Sequence, residues 1–146
     1  MNISIGENIS VVTFHAVAQG GEAAQRVFEK VALAGINVDM ISVSTPLSEK
    51  VSFGFTFPDD DLTKLLAVIG SVKKELGITP LVNSGNTKIV IKTDEMREQA
   101  GFASKVFSAL DKVNAMILLV TTSEDEISVL VRNSDSGDAL KALAEI

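Results

Sequence analysis

Arg26-Val27-Phe28-Glu29-Lys30-Val31 and Lys105-Val106-Phe107-Ser108-Ala109-Leu110 are the two stretches whose comparison decides the fold. The Val-Phe pairs stand 79 positions apart, and Gly21 and Gly101, which precede them, stand 80 apart. Outward from each pair the same order recurs. An alternating stretch comes before it, Ile9 to His15 and Thr87 to Lys92. A β-rich run comes after, Asn37 to Ser44 and Met116 to Thr122, then a second one, Val51 to Phe57 and Glu126 to Arg132. An acidic, helix-opening segment closes each copy: Pro58-Asp59-Asp60-Asp61-Leu62 and Ser134-Asp135-Ser136-Gly137-Asp138.

Periodicity assigns the elements. Ala23, Ala24, Val27, Val31 and Ala34 recur at helical spacing, which predicts a helix from Glu22 to Leu33 ended by Gly35. A second helix is expected from about Asp60 to Leu76. Asp59 or Asp60 would cap it, Lys73-Lys74 would suit its C-terminal dipole, Leu62, Leu65, Leu66, Ile69 and Val72 would form its buried stripe, and Gly77 would stop it. Val51, Phe53, Phe55 and Phe57 alternate along one strand face, as do Ile127, Val129 and Val131. With Ile78 to Val82 as a last strand, copy one reads β-α-β-β-α-β, the α+β ferredoxin-like arrangement. Copy two ends at Ile146 without its fourth strand. An unpaired edge invites aggregation, and Asn2 to Ile5 is a strand-like piece otherwise unemployed. We therefore expect it to cross over and complete copy two, so that residues 6–84 form one module and residues 1–5 with 85–146 the other, intertwined.

Composition narrows the function. The 146 residues carry 13 basic and 19 acidic side chains, a net charge of −6, which argues against a phosphate-neutralising nucleic-acid surface. The absence of cysteine removes disulfides, thiolate metal sites and a cysteine nucleophile, and one histidine, His15, leaves zinc nearly without ligands. The seven phenylalanines sit at helix or strand positions that read as core. Phosphate-cradling GxxxxGK is absent. The N-terminus lacks the basic and apolar regions of a signal peptide, and the longest apolar run, Ala115 to Val120, is far below the ~20 residues of a membrane helix. These readings predict a cytoplasmic protein without cofactor, metal centre or catalytic set, binding neither nucleic acid nor membrane. Asp59-Asp60-Asp61 reads as a charged helix start rather than a metal cluster, Glu124-Asp125-Glu126 as a solvated turn, and Met40 and Met116 as filler. His15 reads as a surface or interface residue.

One resemblance covers essentially the whole chain. Gly21-Glu22-Ala23-Ala24-Gln25-Arg26-Val27-Phe28 and Ala34-Gly35-Ile36-Asn37-Val38-Asp39-Met40-Ile41 are similar to the "PGEAAxVF…AGINVDMI" pattern of the ACT domain, a βαββαβ module that binds small molecules, in the tandem form found in the C-terminal regulatory region of aspartokinase. Met96-Arg97-Glu98-Gln99-Ala100-Gly101 resembles that family's "MRSHPG", and Thr121 to Val131 its "STSEIxISVLV". The crossed-over N-terminal strand is also a family feature. The resemblance implies amino-acid sensing, with lysine or threonine bound at an interface between modules, between the loop after the first strand and the start of the second. On this chain those segments are Ala18, Gln19, Gly20, Gly21 and Glu22, and Ile36, Asn37, Val38 and Asp39. The loop would offer backbone N–H groups at a helix start and close approach at the glycines. Asn37 and Asp39, two apart in an expected strand, would share a face and meet an ammonium or a polar side chain.

The chain departs from that pattern at informative places. Ala18-Gln19-Gly20-Gly21 replaces the family's "DKPG" or "DRPG", and Val43 replaces a common glutamine. Met116 and Leu118 stand where the second copy has ligand-facing Asn and Glu, which implies that the second site no longer takes a polar amino acid. The apolar alternation of Met116, Leu118 and Val120 with Ile117 and Leu119 predicts a strand covered on both faces, hence a homodimer built through the modules. The resemblance further implies an aspartokinase catalytic domain or subunit as partner, and an activity only as part of aspartate kinase, phosphoryl transfer to a carboxyl group. A separate regulatory subunit, an excised regulatory region and a free-standing ACT protein remain open, the initial Met1 favouring a natural start. The alternative from another class is a ligand-free dimerisation or interaction module.

Overall fold

Residues 1–18 and 20–146 are described by a computed structural model. Its elements run β1 (Asn2–Ala18), α1 (Gly20–Leu33), β2 (Ile41–Val43), β3 (Lys50–Pro58), a 3₁₀ turn (Asp59–Asp61), α2 (Leu62–Leu76), β4 (Leu81–Lys92), α3 (Glu95–Glu98), α4 (Phe102–Lys112), β5 (Ile117–Thr122), β6 (Glu126–Arg132) and α5 (Asn133–Leu143). The chain divides into two compact units, Ile9–Ser84 and Met1–Asn8 with Gly85–Ile146.

In the unit Ile9–Ser84 the strand order is β2-β3-β1-β4. β3 runs antiparallel to β1, with Ile9 opposite Pro58, Phe14 opposite Phe53 and Ala18 opposite Lys50, and antiparallel to β2, with Ile41 opposite Phe55. Val51, Phe53, Phe55 and Phe57 are all buried, as their alternation requires. The rings of Phe14 and Phe53 stack with centroids 4.8 Å apart, and Phe28 of α1 reaches Phe55 at 5.1 Å. Gly54 sits between the phenylalanines because a Cβ there would meet the Val12 carbonyl oxygen at 2.9 Å. Helix α1 buries Ala23, Val27 and Val31 on this sheet, and Gly35 follows it at φ 73°. Helix α2 ends at Gly77 in the left-handed conformation, whose N–H donates to the Lys73 carbonyl.

The other unit has the order β1-β4-β6-β5. β4 pairs antiparallel with β6 from Asn86–Arg132 to Lys92–Glu126, and β5 with β6 from Ile117–Val131 to Thr122–Ile127. Its core gathers Ile89, Ile91, Phe102, Val106, Leu110, Ile127, Val129, Val131, Ala139 and Leu143, with Ile3 of the N-terminal stretch packed against it. The second copy is thus completed by the N-terminal strand.

Several expectations need correction. Asn2 to Ile5 and Ile9 to His15 are one strand, and of Ile78 to Val82 only Leu81 and Val82 are strand, the start of the same strand that holds Thr87 to Lys92. Each strand continues through a residue at positive φ, β1 through Asn8 (58°) and β4 through Gly85 (71°). Helix α1 begins at Gly20 rather than Glu22. Neither Asp59 nor Asp60 caps α2 with its side chain; Asp59 Oδ1 instead accepts the hydroxyl of Ser10 at 2.6 Å. On α2 Leu65 and Val72 are buried as expected, Val68 is buried with them, and Leu66 is exposed. The run from Asn37 forms a strand only from Ile41. There the Thr56 N–H donates to the Met40 carbonyl and the Asp39 N–H to the Thr56 carbonyl, while Thr56 Oγ1 takes the Met40 N–H, a local irregularity at the end of the β2–β3 ladder.

Candidate functional site

The chemistry-bearing part of the Ile9–Ser84 unit is the corner where β1 ends, α1 starts and α2 ends. Between Phe14 and Val17 the β1–β3 register slips. The slip is a bulge at His15 and Ala16, with Ala16 held at φ 50°. A left-handed non-glycine costs about 1–2 kcal/mol, and bulges of this kind re-aim side chains at sheet ends. Ser52 on β3 supports it: its Oγ accepts the Ala16 N–H at 2.9 Å and lies 3.3 Å from His15 Nδ1.

Beyond the bulge an open cleft of about 750 Å³ is lined by His15, Val17, Ala18, Glu22, Arg26, Glu75, Gly77 and Thr79, among others. Glu75, in the last turn of α2, ties that helix to α1. It pairs with Arg26 and, at 2.6 Å, with Lys30. Hydrogen bonds from Lys30 first, then Arg26, hold its carboxyl well below the ordinary range, at about 2. Arg26 also meets Glu29 at 3.2 Å, so its guanidinium is engaged on two sides. Glu22, in the first turn of α1, has no ion-pair partner among the described residues. The cleft therefore has a satisfied cation, an uncommitted carboxylate and an imidazole.

Ala18 and Glu22 line this cleft, and Gly20 and Gly21 form the first turn of α1 beside it. Gln19 lies outside the described residues. The other predicted segment is elsewhere. Ile36 is buried in the core, Val38 packs against it, and Asn37 and Asp39 are exposed. The Asp39 N–H donates to the Thr56 carbonyl, and Thr56 stands opposite Val11, whereas Ala18 stands opposite Lys50. Six positions of β3, from Lys50 to Thr56, at ~3.3 Å separate the two levels, about 20 Å. Within this unit one small ligand cannot touch both segments, and Asn37 and Asp39 do not share a strand face. His15, Arg26, Glu75 and Thr79 join the corner without having been singled out for it; only the uniqueness of His15 marked any of them in the sequence.

In the other unit the segment after β4 folds into α3, with Met96 packed on the core. Met116 is exposed, and its N–H donates to Asp135, which also receives Arg132. That Met116 bond first, then Arg132, lowers the Asp135 carboxyl. Among the described residues no group of His, Cys, Asp and Glu is placed to hold a metal, and no helix is long and apolar enough to cross a membrane.

Comparison with known proteins agrees with this architecture. Residues 89–146 match the ACT domain family. An aspartate kinase of Stutzerimonas stutzeri is 28% identical over 142 residues, 97% of this chain and 34% of the relative. The chain thus spans about a third of the length of that curated relative. The ligand-free regulatory subunit of aspartate kinase from Thermus thermophilus superposes with a TM-score of 0.89 at 23% identity, covering 99% of this chain and 96% of that one. Escherichia coli aspartokinase III in complex with lysine and aspartate superposes at 0.68 and 22% identity, over 99% of this chain and 32% of that one.

Proposed function

We propose that this chain, which resembles the ACT-bearing regulatory region of aspartokinase in sequence and fold, is a cytoplasmic sensor of a free amino acid of the lysine or threonine type, exerting feedback control on aspartate-family biosynthesis. The observation that carries the reading is the cleft at the β1–α1 corner, polar and open, on a fold matching a regulatory subunit over nearly its full length. Two modules are read, residues 6–84 and residues 1–5 with 85–146.

Because the two predicted binding segments of the Ile9–Ser84 unit are about 20 Å apart, Ala18, Gln19, Gly20, Gly21 and Glu22 of one module act with Ile36, Asn37, Val38 and Asp39 of another, across a module interface. A ligand there works by differential affinity: it favours one arrangement of modules, and a catalytic aspartokinase domain or subunit reads that arrangement. Homodimerisation through the modules supplies such an interface. The edge strands support it, since Ile41 and Val43 of β2 are exposed and Ile117 to Val120 of β5 are only half-buried.

The test is dye-monitored thermal melting against each proteinogenic amino acid, since the chain has neither Trp nor Tyr. A ligand at 100 times its dissociation constant adds about 2.7 kcal/mol, a rise of several degrees. A rise with lysine or threonine, absent in Asp39→Ala, supports the reading. No rise with any amino acid, in a protein that sediments as a dimer, favours the ligand-free interaction module that the apolar edges also suit.

A further inference from the structure

The β1 bulge does more than terminate a strand. It sets His15, the single histidine, at the cleft with one ring nitrogen beside Ser52. Ser52 Oγ accepts the Ala16 N–H at 2.9 Å and keeps its own proton to donate. His15 Nδ1 lies 3.3 Å away. A neutral imidazole that accepts at Nδ1 carries its proton at Nε2. In that tautomer the Nε2–H is a donor that Ser52 leaves to the cleft. Its other strong donor, Arg26, is held by Glu75 and Glu29. Glu22, the uncommitted carboxylate, stands in the same cleft.

Resting on the amino-acid-sensing reading, we propose that His15 is a specificity-determining residue of this cleft. Its Nε2–H donates to a carboxylate oxygen of the bound amino acid, Ser52 fixes the tautomer that makes this possible, and Glu22 receives the ligand's ammonium. The ligand class is a free zwitterionic α-amino acid, distinguished from its α-carboxamide because only the carboxylate turns the Nε2–H contact into a charge-assisted bond. The strained backbone at Ala16 is the structural cost of aiming the ring.

The experiment uses the full chain and two readouts. Long-range proton–nitrogen NMR of the imidazole needs no assignment, because there is one histidine. At neutral pH it will show the Nε2-protonated tautomer, Ser52→Ala will mix the tautomers, and the amino acid that raises the melting temperature will move the Nε2 resonance. Calorimetric titration will show about tenfold weaker binding in His15→Ala, partial recovery in His15→Gln, and loss in His15→Ala of the preference for the amino acid over its carboxamide. Circular dichroism confirms that the variants fold, as expected for an exposed side chain. An Nδ1-protonated ring, or unchanged affinity in His15→Ala while wild type binds, overturns this assignment and leaves the sensing reading standing. Failure of the wild type to bind any amino acid overturns both.

Discussion

The β2–β3 hairpin offers a quantitative test of the backbone geometry beside the cleft. Leu47 and Lys50 exchange two backbone hydrogen bonds of 2.9 Å, and the residues between them, Ser48 and Glu49, sit at φ 51° and 61°. Two positive φ values in a two-residue loop define a type I′ turn, which favours Asn-Gly because its twist matches the strands. Here both positions carry a Cβ. Each left-handed L-residue costs about 1–2 kcal/mol, and glycine returns about 0.5–1 kcal/mol of that as lost chain entropy on folding. The double variant Ser48→Asn, Glu49→Gly should therefore gain about 1–2 kcal/mol. Glu49 is exposed, so no buried contact is lost with it. At ~2.1 cal/mol/K per residue, a chain of this length has an unfolding entropy near 0.3 kcal/mol/K, and the gain becomes about 3–6 °C in Tm. Urea unfolding should show a higher midpoint with an unchanged slope. Glu49→Ala, which keeps a Cβ, should give no such gain. A double variant with unchanged or lower Tm would refute the turn assignment.

Other perturbations probe the packing. Phe55→Ala removes a fully buried ring 5.1 Å from Phe28 and 6.2 Å from Phe57, and should cost about 3–5 kcal/mol by chemical denaturation; a loss below about 1 kcal/mol would contradict a shared aromatic core. Deleting Met1–Ile5 removes Ile3 from the core of the unit Gly85–Ile146 and should speed amide exchange along Thr87–Lys92; unchanged protection would argue that the N-terminal strand contributes nothing there. Glu75 has an ordinary carboxyl pKa of 4.5 and about 2 in the folded protein, so its pairing with Lys30 and Arg26 stabilises above about 4.5 and is lost as pH falls toward 2. Melts between pH 5 and 2 should fall less steeply in Glu75→Gln than in wild type; identical slopes would show that the α1–α2 tie contributes nothing.

The fold was largely legible because its signals are local. The repeated Val-Phe helices, the Phe53-Phe55-Phe57 alternation and the stops at Gly35 and Gly77 each follow from periodicity or left-handed backbone, and the structure has them. The two long strands were not legible as such. Gly6, Asn8 and Gly85 look like breaks, yet one strand continues through each, with Asn8 and Gly85 at positive φ. The site was less legible, because its determinants lie across the sheet. Asn37 and Asp39 alternate like strand residues, but Thr56 Oγ1 on β3 takes the Met40 N–H, and the regular strand starts only at Ile41. His15 looks like any strand-end residue until Ser52, 37 positions away, is seen to hold both its ring and the next amide.

The central claim is that a free amino acid binds at the β1–α1 corner, and the most direct measurement is an amide NMR titration of the isotope-labelled chain with lysine and with threonine. The account predicts saturable shifts from one of them, concentrated at His15 to Glu22 and at Ile36 to Asp39. Saturable shifts confined to other parts of the chain, or none at millimolar ligand, would contradict it.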